Sequence, residues 1–186
     1  MRISGGESRG RRLMGPRHGG VRPTSDKVRE ALFSILAARV EGSVFLELFA
    51  GTGAVGIEAL SRGAARAVFV DASSKSTRLI RENLNALGYR DRAAVVAKDA
   101  LQFMKKDAAG LGPFGLAFVD PPYHEEVGDK AMDALGSDEA AGVLTDGAVV
   151  VYEHFKKHAA PESFGRLARL REYVYGDTVL TLYASG

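Results

Sequence analysis

The stretch ELFAGTGAVG, residues 47–56, decides the fold of this chain of 186 residues. A β-type run, VFLELF, leads into it at 44–49, and Gly51, Gly53 and Gly56 stand in G-x-G-x-x-G register. Glycine allows a tight turn from strand to helix and lets the backbone approach a ligand closely. A lone G-x-G-x-x-G also occurs in strand-to-helix connections that bind nothing. The strand that precedes the glycines favours a ligand site.

Two carboxylates near this glycine loop indicate which ligand it binds. Asp71 follows Gly51 by 20 residues, at the end of the next predicted strand, where a carboxylate can accept both hydroxyls of a ribose. Glu47 directly precedes the loop. In a dinucleotide site the loop meets a pyrophosphate, and an extra carboxylate would repel that charge. A cofactor with a cationic sulfonium and an amino group is attracted instead, so the pattern favours S-adenosylmethionine over NAD.

Outside the loop, β-type runs alternate with amphipathic helical stretches, which predicts a mostly parallel sheet covered by helices on both faces. The predicted strands are 44–49, 67–71, 93–97, 115–120 and 147–152. The first predicted helix has Ser25 as its N-cap and runs to about Arg39, and the others span 54–62, 75–88, 99–107 and 126–135. After Pro161, strands at 171–175 and 178–183 form a hairpin. We therefore expect a Rossmann-like α/β fold with a mixed sheet of seven strands that ends in an antiparallel hairpin.

Composition and charge indicate a single globular domain, 1–186, with 46% hydrophobic and 26% charged residues. Residues 1–39 carry nine Lys and Arg against three Asp and Glu, whereas the remainder carries sixteen against twenty. We divide the domain into a basic extension, 1–24, and a core, 25–186. Because the positive charge is concentrated in the extension, we expect a polyanionic partner there.

The absence of cysteine excludes disulfides, thiolate metal sites and cysteine nucleophiles. The four histidines are scattered, and we therefore expect no metal site; they are His18, His124, His154 and His158. No apolar run approaches the roughly 20 residues of a membrane span, so we expect no membrane partner. The expected location is the cytoplasm, and the expected oligomeric state is a monomer.

The fourth predicted strand ends in the tetrapeptide Asp120-Pro121-Pro122-Tyr123, at the sheet edge where open α/β folds bind ligands. Two prolines stiffen the loop and remove its backbone donors, which leaves the Asp120 carboxylate and nearby carbonyls as acceptors. The lone pair of an exocyclic base amine is delocalised into the ring. Accepting its N–H bonds draws electron density to nitrogen and aims it at an incoming methyl group. Tyr123 can stack on that base. A rigid surface turn is the alternative interpretation.

With these residues in view, the chain resembles a known family. ELFAGTG is similar to motif I of class I S-adenosylmethionine methyltransferases, and with DPPY it resembles enzymes that methylate adenine N6, cytosine N4 or guanine N2. The segments GESRGRRL at 6–13, RPTSDKVREALF at 22–33 and ALSRGA at 59–64 are similar to the RsmD family. That family consists of bacterial enzymes that methylate N2 of one guanine in small-subunit ribosomal RNA. The resemblance runs from about residue 2 to 184, and its two departures, Glu47 for Asp and Asp71 for Glu, keep the carboxylate.

The resemblance implies roles for particular residues. Asp99 matches the position that contacts adenine in this fold, although it could equally be the N-cap of the helix at 99–107. The expected cofactor-binding residues are Glu47, Phe49, Ala50, Gly51, Gly53, Asp71, Ala72, Asp99 and Ala100. The expected catalytic residues are Asp120, Pro121, Pro122 and Tyr123. The implied partner is small-subunit ribosomal RNA, either naked or in the assembled subunit.

Arginines in the basic extension are the predicted RNA contacts, because each could bind a phosphate. They are Arg9, Arg11, Arg12, Arg17 and Arg22. A solvated charged tail is the alternative. In the following helix, Asp26, Arg29 and Glu30 form either a polar cluster at the cofactor mouth or an exposed face.

Three other functions fit parts of the pattern. A DNA adenine-N6 methyltransferase and a protein glutamine methyltransferase use related tetrapeptides. Sequence-specific DNA enzymes carry a separate recognition region, for which this chain has no room, and glutamine modifiers more often have Asn where Asp120 stands. A non-catalytic RNA-binding protein of the same fold would not require an intact tetrapeptide and glycine loop.

Overall fold

The computed structural model describes residues 1–15, 25–122 and 125–186, apart from the side chain of residue 125. In this part of the chain one mixed sheet has the strand order β3-β2-β1-β4-β5-β8-β7-β6. Its strands are β1 (Val44–Leu48), β2 (Arg66–Asp71), β3 (Ala93–Ala97), β4 (Phe114–Val119), β5 (Leu144–Phe155), β6 (Ser163–Phe164), β7 (Leu167–Tyr175) and β8 (Thr178–Ser185). Strands β1 to β5 pair in parallel, and β8, β7 and β6 continue the sheet antiparallel. The predicted α/β fold is confirmed.

Helices cover both faces of the sheet. They are α1 (Asp26–Leu36), α2 (Ala54–Ser61), α3 (Ser74–Leu87), α4 (Ala100–Lys106), α5 (Ala108–Leu111) and α6 (Glu125–Gly136). Helices α1, α2 and α3 pack in one hydrophobic core with Phe45, Phe69 and Phe118 of the strands. Helices α4, α5 and α6 pack in a second core on the opposite face. Each central strand therefore buries both sets of alternating side chains, as parallel strands between helical layers must.

Several details differ from the sequence prediction. Strand β5 is Leu144–Phe155 rather than 147–152, β7 begins at Leu167 rather than at 171, and α5 was not predicted. Within the described ranges the sheet has eight strands rather than seven, because the pair Ser163–Phe164 adds β6 at the edge through Leu167 and Ala168 of β7. Two residues are too few to show the alternation by which strands are recognised in sequence. Helix α1 ends at Leu36, and a 3₁₀ turn continues to Arg39. In the described residues no helix combines the length and the apolar character that crossing a membrane requires.

The N-terminal residues 1–15 pack against the rest of the domain. Ile3 and Leu13 are 1% and 7% exposed and belong to the core that contains α1 to α3. The segment folds back on itself, since the Ile3 N–H donates to the Arg11 carbonyl at 3.0 Å and Arg2 bridges Arg12. The basic residues of this segment therefore stand on an anchored backbone. The division into 1–24 and 25–186 stays a prediction.

Candidate active site

A cleft of about 800 Å³ opens at the carboxyl ends of β1, β2, β4 and β5. The strand order reverses between β1 and β4, and at such a point the loops after the two strands separate and leave room for a ligand. Ten of the predicted site residues line the cleft: Glu47, Phe49, Ala50, Gly51, Asp71, Ala72, Asp99, Asp120, Pro121 and Pro122. Gly53 and Ala100 are not among its lining residues. Tyr123 lies outside the described residues.

The glycine loop is a tight turn that only glycine can form easily. Gly51 and Gly53 have positive φ of 53° and 73°, and the Gly53 N–H donates to the Ala50 carbonyl at 2.7 Å. At Gly56, a Cβ atom would lie 2.4 Å from the ring of Phe69. The third glycine therefore serves the packing of α2 on the sheet, while the first lines the cleft.

Phe49 adds strain to the loop that the sequence did not reveal. Its φ is 58°, in a region that costs a residue with a side chain roughly 1–3 kcal/mol. Its half-buried ring lines the cleft and packs against the core of α4 to α6. The surrounding contacts hold this conformation, which turns the backbone from β1 into the loop.

Asp71 fixes the loop as well as facing the cleft. One carboxylate oxygen accepts the Gly51 N–H at 2.7 Å, and the other accepts the Ser73 N–H at 2.7 Å. A carboxylate oxygen can accept two hydrogen bonds, so each oxygen retains capacity for a hydroxyl of the ligand. The strand pairing of β1 with β2 brings Asp71 to this position beside the loop.

Glu47 is a buried carboxyl at the floor of the cleft. It is 3% exposed, and its Oε2 accepts the Gly56 N–H at 2.8 Å. Burial raises the pKa of Glu47 from 4.5 to about 8; the backbone N–H groups of Gly56 and Val55 oppose this rise, and the nearby Asp120 and Asp71 carboxylates add to it. A cation bound in the cleft would favour the ionised form and reverse the effect of burial.

Asp99 is both a helix cap and a lining residue of the cleft, while its contact with adenine stays a prediction. Its Oδ1 accepts the N–H of Leu101 at 2.9 Å and of Gln102 at 3.3 Å, which makes it the N-cap of α4. It also lines the cleft. The neighbouring Ala100 is buried at 3% exposure beneath it, in the core of α4 to α6.

The tetrapeptide loop leaves β4 after Val119 and is supported from behind by α6. Asp120 and Pro121 are half-buried and line the cleft. A Cβ atom on Gly128 would lie 2.6 Å from Cγ of Pro121 and 2.3 Å from the hydroxyl of Tyr152. That hydroxyl donates to Asp129 at 3.1 Å. Because Gly128 has no side chain, the backbone of α6 can pack in direct contact with the tetrapeptide loop.

Carboxylates of β1, β2 and β5, and of the residue that directly follows β4, face the same side of the sheet. Val119 is paired with Tyr152 in parallel register, and both pack in the core of α4 to α6. Since side chains alternate along a strand, the next residues, Asp120 and Glu153, point to the opposite face. Glu47 and Asp71 share that face, because they stand two residues from Phe45 and Phe69 of the α1 to α3 core. The four acidic residues all line the cleft.

The far half of the cleft was missed by the sequence prediction. It is formed by the end of β5 and the turn between β7 and β8, with the start of α1 beside them. The additional lining residues there include Ser25, Val28, Glu153, Phe155, Tyr175 and Asp177. The predicted strand at 147–152 was a usable signal, because the residues that follow a parallel strand reach the same edge as the tetrapeptide.

Three of the predicted RNA contacts are described, and all three are exposed. They are Arg9, Arg11 and Arg12. Arg11 donates to the Ala86 carbonyl at 2.5 Å, which joins the segment to the end of α3. Arg17 and Arg22 lie outside the described residues.

The cluster on α1 takes a form that neither alternative anticipated. Asp26 and Glu30 are exposed, but Arg29 is completely buried. Arg29 pairs with the buried Glu58 of α2 at 3.4 Å and with Asp26 at 3.0 Å. Glu58 also accepts the backbone N–H groups of Ser4 and Gly5. The buried pair therefore ties α1, α2 and the N-terminal segment together.

Comparison with known proteins places the chain among methyltransferases. The family model described as conserved hypothetical protein 95 matches residues 1–184. The ribosomal RNA small subunit methyltransferase D of Escherichia coli strain K12 is 35% identical over 183 residues, which cover 98% of this chain and 89% of that protein.

Solved structures have the same fold. The yhhF protein of Escherichia coli is 33% identical, with a TM-score of 0.86 over 100% of this chain and 97% of its own. An RNA methyltransferase from Salinibacter ruber, solved in complex with S-adenosyl-L-homocysteine, has a TM-score of 0.65 at 20% identity and covers 88% of this chain and 94% of its own. The latter likeness concerns the fold alone.

Proposed function

The chain belongs to the RsmD family, described as conserved hypothetical protein 95, and on that premise we propose that it transfers a methyl group from S-adenosylmethionine to N2 of a guanine in small-subunit ribosomal RNA. One observation carries the proposal. A single cleft contains both the glycine loop with its two carboxyl groups and the Asp120-Pro121-Pro122 segment. The cofactor and the target base would thus bind next to each other at one edge of the sheet.

The chemistry of the lining residues fits this cofactor. The buried Glu47 suits a cationic ligand, since a positive charge compensates the cost of a carboxylate in a low-dielectric site. Asp71 is held by two backbone N–H groups in an orientation suited to ribose hydroxyls. Asp99 stands beside them and would contact the adenine. We assign these three residues, with the glycine loop, to the cofactor.

When bound, S-adenosylmethionine supplies an electrophilic methyl group on a sulfonium sulfur, which becomes a thioether as the methyl moves to nitrogen. The chain itself orients the amine. The carboxylate of Asp120 accepts an amine N–H and aims the nitrogen lone pair into the cleft. The proton that the amine loses passes to Asp120 or to solvent. Pro121 and Pro122 keep the loop rigid and add no backbone donor that would compete for the carboxylate.

Exposed arginines on the anchored N-terminal segment support RNA as the substrate. Arg9 and Arg12 would bind phosphates, and each such contact contributes about one unit to the slope of log affinity against log salt. We expect Arg9→Gln and Arg12→Gln each to weaken RNA binding at low salt and to reduce this slope by about one. An unchanged slope in both variants would remove the segment from the RNA interface.

The test is to incubate the purified protein with methyl-labelled S-adenosylmethionine and, separately, unmodified small-subunit RNA, small subunits assembled on it, and duplex DNA. We expect label in N2-methylguanosine from a ribosomal substrate. Label in N6-methyladenine from DNA would support amine methylation but contradict ribosomal RNA as the substrate. Absence of label from all three would favour a binding protein of the same fold.

Two variants separate the assigned roles. Asp120→Ala should abolish transfer while cofactor affinity stays within about 2-fold, because Asp120 orients only the base. Asp71→Ala should weaken the cofactor first, both through the lost ribose contact and through the freed Gly51 N–H. Equal cofactor affinity in the wild type and in Asp71→Ala would contradict the assignment of this carboxylate.

A further inference from the structure

The half of the cleft beyond the tetrapeptide has no part in holding the cofactor as assigned above. Its surface comes from the carboxyl end of β5, where Glu153 and Phe155 are half-buried, and from the end of β7, where Tyr175 is half-buried. A polar acceptor and two aromatic rings thus line one side of a cleft whose other side holds the glycine loop. Such a combination is typical of a site for a flipped-out base.

Strand register places Glu153 next to Asp120. Val119, the last residue of β4, is paired with Tyr152 of β5, so Asp120 begins the loop directly beside Glu153, the next residue of β5. Neighbouring strands lie about 4.8 Å apart, and the two side chains leave the same face of the sheet. Two carboxylates are therefore presented side by side at the point where the target amine would enter.

Two aromatic residues lie on the same face of the sheet as Glu153, towards the end of β5. In β5, Phe155 follows Glu153 by two residues and is paired with Thr178 of β8. Thr178 is in turn paired with Tyr175 of β7. Residues that are paired across strands share a face, so Phe155 and Tyr175 lie on the face of Glu153, with β8 between the two rings, where they can contact the plane of a base.

Adjacent acceptors distinguish guanine from the other amino bases. The Watson–Crick edge of guanine donates from N1–H and from both hydrogens of N2. Adenine and cytosine each place an unprotonated ring nitrogen next to their amine, and a carboxylate would repel its lone pair. A site can therefore select guanine among these bases with two carboxylates. One accepts from the reacting amine, and the other accepts from the neighbouring ring N–H.

We propose that Glu153 selects the target base by accepting N1–H and one N2–H of guanine, while Asp120 accepts the other N2–H and Phe155 and Tyr175 contact the base plane. This inference rests on the proposed function and deepens it. Glu153 acts here as a specificity-determining residue, and the transfer chemistry remains with Asp120. The two carboxylates thereby fix the base through three donor hydrogens.

The experiment uses small-subunit RNA that carries either guanine or 2-aminopurine at the methylated position identified by labelling. The analogue 2-aminopurine keeps the exocyclic amine but lacks N1–H. We expect wild type to prefer guanine in kcat/KM by roughly 5- to 150-fold, the range of one bidentate base contact. In Glu153→Gln this preference should fall to a few-fold, because an amide can donate to the unprotonated N1. Affinity for S-adenosylmethionine should stay within about 2-fold of wild type.

Matched variants make the outcome specific. Glu153→Asp keeps a carboxylate and should retain the preference for guanine. Asp146→Asn removes an exposed carboxylate at the other end of β5 and should leave the preference unchanged. An undiminished guanine preference in Glu153→Gln, with active wild type, would overturn this proposal and leave the proposed function intact. Absence of guanine methylation by wild type would overturn the proposed function itself, and this proposal with it.

Discussion

Replacing Glu47 with glutamine should stabilise the protein near neutral pH and lower the affinity of the protein for S-adenosylmethionine. Burial raises the pKa of Glu47 from 4.5 to about 8, so the folded chain keeps a proton that the unfolded chain releases above pH 4.5. The unfolded state then binds fewer protons than the folded state. The free energy of unfolding contributed by this group is therefore fully present below pH 4.5 and is lost as the pH rises to about 8.

The magnitude follows from the difference between the two pKa values. Each pH unit in this window lowers the free energy of unfolding by about 1.4 kcal/mol, which amounts to roughly 3 kcal/mol between pH 4.5 and pH 7. Glutamine does not ionise and keeps an oxygen that can accept the Gly56 N–H. Glu47→Gln should therefore lack this decrease and be more stable than wild type at pH 7 by up to about 3 kcal/mol.

Urea unfolding of wild type and Glu47→Gln at pH 5, 6, 7 and 8 measures this effect. Glu82→Gln, at an exposed carboxyl on α3, is the control and should follow the wild type. Calorimetry in two buffers should also show that wild type releases up to about one proton on binding S-adenosylmethionine at pH 7, whereas Glu47→Gln releases fewer protons and binds about 10-fold more weakly. Parallel stability curves for wild type and Glu47→Gln across this pH range would refute the reasoning.

Two further substitutions test how the site is supported. Gly128→Ala should lower kcat by about 10- to 100-fold, because the added methyl displaces the tetrapeptide loop, while Gly110→Ala, where nothing lies within 4 Å, should leave kcat unchanged. Glu58→Ala should lower the free energy of unfolding by about 3–5 kcal/mol, since it removes the buried carboxylate partner of the Arg29 cation and leaves that cation with Asp26, whose side chain is exposed. The control variant Glu82→Ala removes only an exposed, long ion pair and should change the free energy of unfolding by less than about 0.5 kcal/mol. Thermal unfolding measures both variants. Equal losses of stability in Glu58→Ala and Glu82→Ala would contradict the role of the buried pair.

Local patterns were sufficient to predict much of the fold and one half of the site. The boundaries of α2 and α3 lie within about one residue of prediction. The glycine loop sets the start of α2, and the N-cap Ser73, the apolar stripe and the C-cap Gly88 set the bounds of α3. The prediction that Glu47 and Asp71 face one ligand site required only that parallel strands end at a common edge. Asp120 followed from the same rule, and all three line the cleft.

Features that depend on distant partners could not be predicted in this way. Arg29 was expected at a cofactor mouth or on an exposed face, yet it is completely buried beside Glu58. This burial could not be predicted from local sequence, because Glu58 lies 29 residues further along the chain. Likewise, the positive φ of Phe49 depends on the core around it, and a phenylalanine in the sequence does not indicate such a φ.

The sequence by itself determined the order of strands and helices, the glycine loop and the acidic residues at the strand ends, since each is set by interactions among neighbouring residues. Only the tertiary structure decided that Glu153 stands beside Asp120, because this depends on the register between β4 and β5. It also decided that the N-terminal segment is anchored, through hydrogen bonds from Ser4 and Gly5 to Glu58. Contacts between residues far apart in sequence arise from packing and pairing, which no local pattern records.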